Sequence, residues 1–255
     1  MVASAHGVSC HSFRTNSGDT EHYIAIATPA QLSLARQIDA LGQRYAAVRQ
    51  TLRLPPDSAV FRRLYVSDAL NQAAMVRDSS LYREPLDSPV AVSMVQQPLL
   101  SGAKVAMLAY HVDSATPLCK ARAPSCDLLL HRGDLRHLWS TQLCTSTTAA
   151  PNSAAEQPRD IFKRLIGAVQ AQGGTLADNC VRSWIYVKDM DVFYQDMVAA
   201  RTVLVQQHGL TRDTHYLPST GIEDACGHQC DVVLMDTYSI SIIGLATEQV
   251  SYECL

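Results

Sequence analysis

The sequence predicts an α+β protein made of two tandem copies of one small domain, each a mixed β-sheet covered on one face by two helices. Three observations predict it. The segment Leu64-Tyr65-Val66-Ser67-Asp68 recurs 121 residues later as Ile185-Tyr186-Val187-Lys188-Asp189. Each copy follows apolar residues at helical spacing, and each precedes a second helix and two further apolar, strand-like segments. The order strand, helix, strand, helix, strand, strand therefore occurs twice, and that order buries one face of a sheet under its helices.

In the first copy the opening strand is expected at Tyr23 to Ala27. Leu34, Ile38, Leu41, Tyr45, Val48 and Leu52 then alternate four and three residues apart, which places them on one face of a helix. Pro55-Pro56 ends that helix, because proline cannot continue it. The strand through Leu64 leads to Asp68, whose carboxylate is placed to cap the next helix. Strands at Val90 to Val95 and Lys104 to Val112 close the copy.

The second copy opens on His137 to Leu143. Ile161, Leu165 and Val169 mark its first helix, and Gly173-Gly174 supplies the left-handed stop. Asp189 is expected to cap the second helix, which is marked by Phe193, Met197, Ala200 and Leu204 and ends near Gly209. Strands at His215 to Thr220 and Asp231 to Ile242 follow. The expected domains are 1–115 and 131–255, with a linker at 116–130 that holds Pro117 and Pro124.

Composition narrows the function classes. Hydrophobic residues are 47% and charged residues 18% of the chain, enough apolar material for two cores. The net charge is −3 and the basic residues are scattered, so neither a nucleic-acid nor a membrane-surface partner is expected. A basic leader with an apolar run is lacking at the start, and no apolar run reaches membrane-spanning length, so the chain is expected to be soluble and cytoplasmic. Its eight cysteines are then expected as reduced thiols. A small anionic metabolite is the expected partner.

Leu138-Trp139-Ser140-Thr141-Gln142, the Cys180-Val181-Arg182 to Met190 segment and Val232-Val233-Leu234-Met235-Asp236 together resemble, in order, the Rid (YjgF-like, reactive-intermediate deaminase) family. Arg63 to Asp68 keeps the central signature in the first copy. The resemblance implies two tandem domains of the Rid/chorismate-mutase-like fold, trimer-like or pseudo-trimeric self-association, and a hydrolase or deaminase-like activity. The pattern departs from the family at three places. Tyr216 to Gly221 has no carboxylate-binding arginine, the acid of the last strand falls near Leu234, and Thr141 replaces a glycine. The run from Tyr194 through Arg201 to Glu223 is similar to chorismatases, a family whose members continue further, so the chain could be a shortened member of a longer multi-repeat type.

The candidate catalytic residue is Glu223, which could act as general acid or base if burial raised its pKa. Candidate substrate-binding residues are Arg182, Trp184, Ser219, Thr220, Ser140, Tyr194 and Arg201. Arg182 and Trp184 alternate along a strand and so share a face, where a guanidinium beside an indole suits a planar acid. Ser219-Thr220-Gly221 offers hydroxyls for a carboxylate, and Tyr194 and Arg201 share a helix face. Cys226 and Cys230 with His228 look like half a metal site, with His215 as a supplement, but two thiolates and one imidazole do not close a tetrahedron, and no metal or other cofactor is expected. The expected function is the binding of a small carbonyl or enol carboxylate. The alternative is a non-catalytic oligomeric scaffold.

Overall fold

The apolar stripes of the sequence lie against two sheets in the computed structural model, which describes residues 2–5, 7–85, 87–123, 127–145, 156–224 and 231–242. The first sheet has six strands, β1 (Val2–Ala5), β2 (Val8–Arg14), β3 (Thr20–Ala27), β4 (Ala59–Val66), β5 (Ala91–Gln96) and β6 (Val105–Asp113). Helix α1 (Leu34–Thr51) joins β3 to β4, and α2 (Ala69–Arg77) joins β4 to β5. The spatial order is β1-β2-β3-β6-β4-β5, antiparallel throughout except for the parallel pair β4 and β5.

The second sheet contains β7 (Cys119–Arg122), β8 (Leu128–Arg132), β9 (Leu135–Leu143), β10 (Cys180–Val187), β11 (Ser219–Glu223) and β12 (Val233–Ile242). Its helices are α3 (Glu156–Gln170), the single turn α4 (Leu176–Asn179) and α5 (Met190–Gln207). Read from β7, its order β7-β8-β9-β12-β10-β11 repeats the connectivity of the first sheet strand for strand. The chain divides into two compact units, Met1–Lys120 and Ala121–Leu255.

Each unit has its own core under its helices. Ile38, Leu41 and Tyr45 of α1 are buried against Ile24, Leu64 and Met107, while Leu34, Val48 and Leu52 pack at the edge of the same cluster. In the second unit Ile161, Leu165 and Val169 of α3 meet Leu138, Ile185 and Met235. A side chain of Leu or Ile size contributes about 1.5–3 kcal/mol when fully buried, so these stripes fix which helix face meets the sheet.

Polar anchors repeat as well. Gln37 Oε1 accepts from Lys104 N (2.8 Å), Thr28 Oγ1 (3.0 Å) and Val105 N (3.3 Å), and Gln157 Oε1 accepts from Val232 N (2.8 Å) at the same point of the second unit. Seven residues on, Arg44 donates to Ala27 O and Arg164 to Cys144 O. Both pairs tie the first helix of a unit to the ends of its strands.

The structure corrects several expectations. The hairpin β1–β2 was not read from the sequence, and residues 116–130 carry β7 and the start of β8 instead of serving only as a linker. Each unit thereby gains two strands on the far side of its opening strand. The strand expected from His215 to Thr220 is Ser219–Glu223. Pro218 has no N–H for a ladder, and its carbonyl accepts from Ser183 N just before the strand starts. Asp68 caps α2 as expected, accepting from Asn71 N in an extended conformation. Asp189 does not cap α5: its left-handed backbone (φ 45°) departs from the extended geometry a side-chain cap requires.

Among the described residues Cys10, Cys119 and Cys180 are free thiols, and no helix is long and apolar enough to cross a membrane.

Candidate functional site

Parity on the strands of the second unit decides which candidate residues meet. Ile185 and Val187 of β10 belong to the core under the helices, so Arg182 and Trp184 point to the opposite face. Parallel pairing sets Ser183 against Ser219 and Trp184 against Thr220. Thr220 thus joins Arg182 and Trp184, while Ser219 turns under α5.

On the face opposite the helices, Arg182 Nη2 donates to Thr220 Oγ1, and its guanidinium carbon stands 5.4 Å from the Trp184 ring centre. The antiparallel neighbour β12 adds Asp236 opposite Trp184 and Tyr238 opposite Arg182. The Tyr238 ring is tilted against Trp139 of β9 at 4.6 Å between centres, and its hydroxyl lies 2.6 Å from His137 Nδ1. Asp236 is buried and accepts from Gln142 N at 3.0 Å across the bulge where Gln142 takes a φ of 57°. The result is a band of aromatic rings with one guanidinium and one carboxylate in it, which suits a planar acid held by charge-assisted hydrogen bonds and ring stacking.

A second cluster lies on the helix side. Ser183 Oγ and Ser219 Oγ are 2.6 Å apart, and Arg201 Nη2 donates to Ser219 Oγ (2.9 Å) and to Leu217 O (3.3 Å). Burial lowers the pKa of Arg201, and Tyr194 acts in the opposite direction. The Tyr194 ring also covers Gly221, where a Cβ would come within 3.2 Å of Cε2. Arg201, Tyr194 and Ser219 therefore assemble, but as a pin between α5 and the edge strand β11.

Ser140 is fully buried on β9, paired with Thr237 on the helix side and not with Arg182. It neighbours Asp127, whose carboxyl is pushed up to about 6 by burial; the Ser140 hydroxyl, Arg164 and Arg122 hold that rise down. Glu223 is exposed at the end of β11, on the Ser219 side by strand alternation, so the burial its catalytic role required is absent. The candidates Arg182, Ser219, Thr220 and Glu223 are split between the two faces of the sheet. The last strand does carry an acid, Asp236, two residues beyond Leu234 and on the same face.

Sequence reasoning missed Asp236, Tyr238, Trp139 and His137 as one group. Each pair alternates on its own strand, but only the β9–β12 register brings them together. His215 Nε2 bonds to Ala177 O at 2.8 Å, and Cys226, His228 and Cys230 lie outside the described residues. No group of three or more metal-ligating side chains is found among the described residues.

With this geometry in view, the fold compares with a solved chorismatase over 93% of this chain and 78% of that one, at a TM-score of 0.61 and 13% identity. A member of the YjgF protein family from Neisseria meningitidis matches 46% of this chain and 87% of its own (TM-score 0.36, 14% identity). The YjgF gene product of E. coli matches 44% and 84% (TM-score 0.37, 16% identity). No family model and no curated protein matches the sequence. In fold the chain resembles a chorismatase, a likeness of architecture at this identity.

Proposed function

We propose that the second unit binds a small planar carboxylate on the face of its sheet opposite the helices. Arg182, steadied by Thr220 and stacked beside Trp184, is the observation that carries the reading. The guanidinium would take the carboxylate, and the rings of Trp184, Trp139 and Tyr238 would flank the unsaturated part of the ligand. Asp236 is the acid positioned to act on such a ligand, in place of Glu223. The chorismatase-like fold puts enol carboxylates first among the acids to test, with 2-imino acids second.

The test is calorimetric titration of chorismate, pyruvate and 2-imino acid analogues into the full chain, alongside assays for pyruvate and ammonia release. Arg182→Ala should weaken binding by about 1.5–3 kcal/mol, the scale of a hydrogen bond to a charged group, and Arg182→Lys should recover part of it. Equal affinity in all three proteins removes Arg182 from the site. The separation of Ser219 and Glu223 from Arg182 favours the second reading, a non-catalytic self-associating scaffold. Native mass measurement showing a defined oligomer, with no acid bound at any concentration tested, would select it.

A further inference from the structure

The first unit holds a cavity of about 600 Å³ bounded by α1, β4 and side chains of residues 78–85 and 88–90. Arg62 and Arg49 line it, together with Tyr45, Arg83 and Glu84. Arg62 is 5% exposed on the helix side of β4. Its Nη1 donates to Leu81 O (2.8 Å) and Ser80 O (3.1 Å), whereas Nε is buried without a partner and Nη2 donates to no described residue. Arg49 Nη2 reaches Pro56 O at 3.3 Å, and its Nε is likewise buried without a partner.

The acids of the wall are engaged elsewhere. Asp78 pairs with Arg83 at 2.7 Å, and Glu84 Oε2 accepts from Val90 N at 3.0 Å. Nor do the neutral groups offset the charge. Ser58 Oγ donates to Pro55 O (2.7 Å), so it accepts from His111 Nδ1–H (2.9 Å), and His111 Nε2 then accepts the Tyr45 hydroxyl proton (2.8 Å). Tyr45 spends its proton inward. Burial is the main cause of the lowered pKa of Arg62, with Tyr45 opposing it and Arg49 adding to it.

A guanidinium buried without a counter-charge is costly, and its Nη2, which has no partner among the described residues, is left to donate to a carboxylate or phosphate. Both facts are accounted for by an anion in the cavity. We propose that this cavity is a second ligand site, separate from the Arg182 face, for a small metabolite carrying a carboxylate or phosphate, held by Nη2 of Arg62 with Arg49 supplying further positive charge.

The experiment titrates inorganic phosphate and citrate, in turn, into the full chain at constant ionic strength, by calorimetry. Saturable binding of at least one probe is expected, and the stronger of the two identifies the anion class. Arg49→Gln should weaken it about ten- to hundredfold, the equivalent of one charge-assisted contact. Arg62→Lys should weaken it similarly, because one ammonium cannot both hold the carbonyls of Ser80 and Leu81 and reach the anion as the separate Nη1 and Nη2 do. Arg36→Gln, the same charge change at an exposed position on α1, should leave it unchanged, and so should Arg182→Ala, which separates this site from the one on the second unit. No saturable binding of either probe overturns the proposal, as does equal affinity in Arg49→Gln and the unaltered protein. If Arg62→Lys does not fold, Arg49→Gln decides alone.

Discussion

His111 sits on the helix side of β6, fully buried, with both ring nitrogens committed to neutral partners. Burial, followed by the charges of Arg49, His22, Arg62 and Lys120, pushes its pKa down to about 3. Tyr45 and Ser58 supply no negative charge to offset this, Asp57 acts on Lys120, and Asp113 acts on His22. The ring therefore stays neutral in the folded protein at pH values where it would be protonated in the unfolded chain. The unfolded state binds the extra proton, so stability is complete above the ordinary value of 6.5 and is lost as pH falls from there toward about 3. At pH 5 the loss from this one ring is about 2 kcal/mol, with each tenfold in proton affinity counted as about 1.4 kcal/mol. The check compares the unfolding free energy in urea at pH 7 and pH 5 for the unaltered protein and for His111→Gln, which keeps a side chain able to donate and accept. His22, whose pKa is also lowered by burial, contributes to both proteins, so the difference between their losses isolates His111. The losses should differ by about 2 kcal/mol. A His111 ring resonance that titrates near 6.5 in the folded protein, or equal losses in the two proteins, would refute the reasoning.

Two further outcomes follow from the packing. Gln37→Leu should destabilise the first unit by about 3–5 kcal/mol, since it strips partners from Lys104 N, Val105 N and the carbonyl of Leu32; Gln157→Leu, which strips Val232 N of its acceptor, should cost at least about 1–3 kcal/mol. Urea unfolding checks both, and similar small losses would contradict the anchoring role. Gly174→Ala should cost about 1–3 kcal/mol, because its Cβ would fall 2.5 Å from Asn179 Oδ1, an amide pinned by Thr175 N and Ile240 O. Gly167→Ala, on an open face of α3 with nothing within 4 Å, should stabilise by about 0.5–1 kcal/mol, and thermal melts of the two variants should move in opposite directions.

The helices and inner strands were legible because their apolar residues follow the period of the element that buries them. Leu41, Tyr45, Leu165 and Val169 could be assigned to a core before any coordinate was known. The outer strands were not. β2 reads Val-Ser-Cys-His-Ser-Phe-Arg, with Cys10 alone fully buried among polar neighbours, and β7 has no buried residue at all. Strands of this kind are specified by backbone pairing to a neighbour, and the pairing leaves no hydrophobic period to read. The helix anchors were hidden for a related reason. Gln37 and Gln157 look like solvated helix residues until Lys104 and Val232 arrive from far along the chain to donate to them.

The candidate site failed at a different step. Ser219, Thr220 and Glu223 are close in sequence, but on a strand adjacent side chains diverge, and residues an even number apart agree. Alternation alone separates Ser219 from Thr220. It cannot say which of them joins Arg182, because that depends on whether β11 pairs with Ser183 at position 219 or at 220, and a slip by one residue exchanges the faces. The register observed is held from the helix side: Ser219 meets Ser183, and Arg201 reaches Ser219 and the carbonyl of Leu217 from α5. Those three residues, though two of them were chosen as ligand contacts, serve to hold Thr220 beside Arg182 and Trp184. The site proposed on this sheet edge is thus set in part by polar contacts on the opposite face, and the residues that position it need not touch the ligand proposed for it.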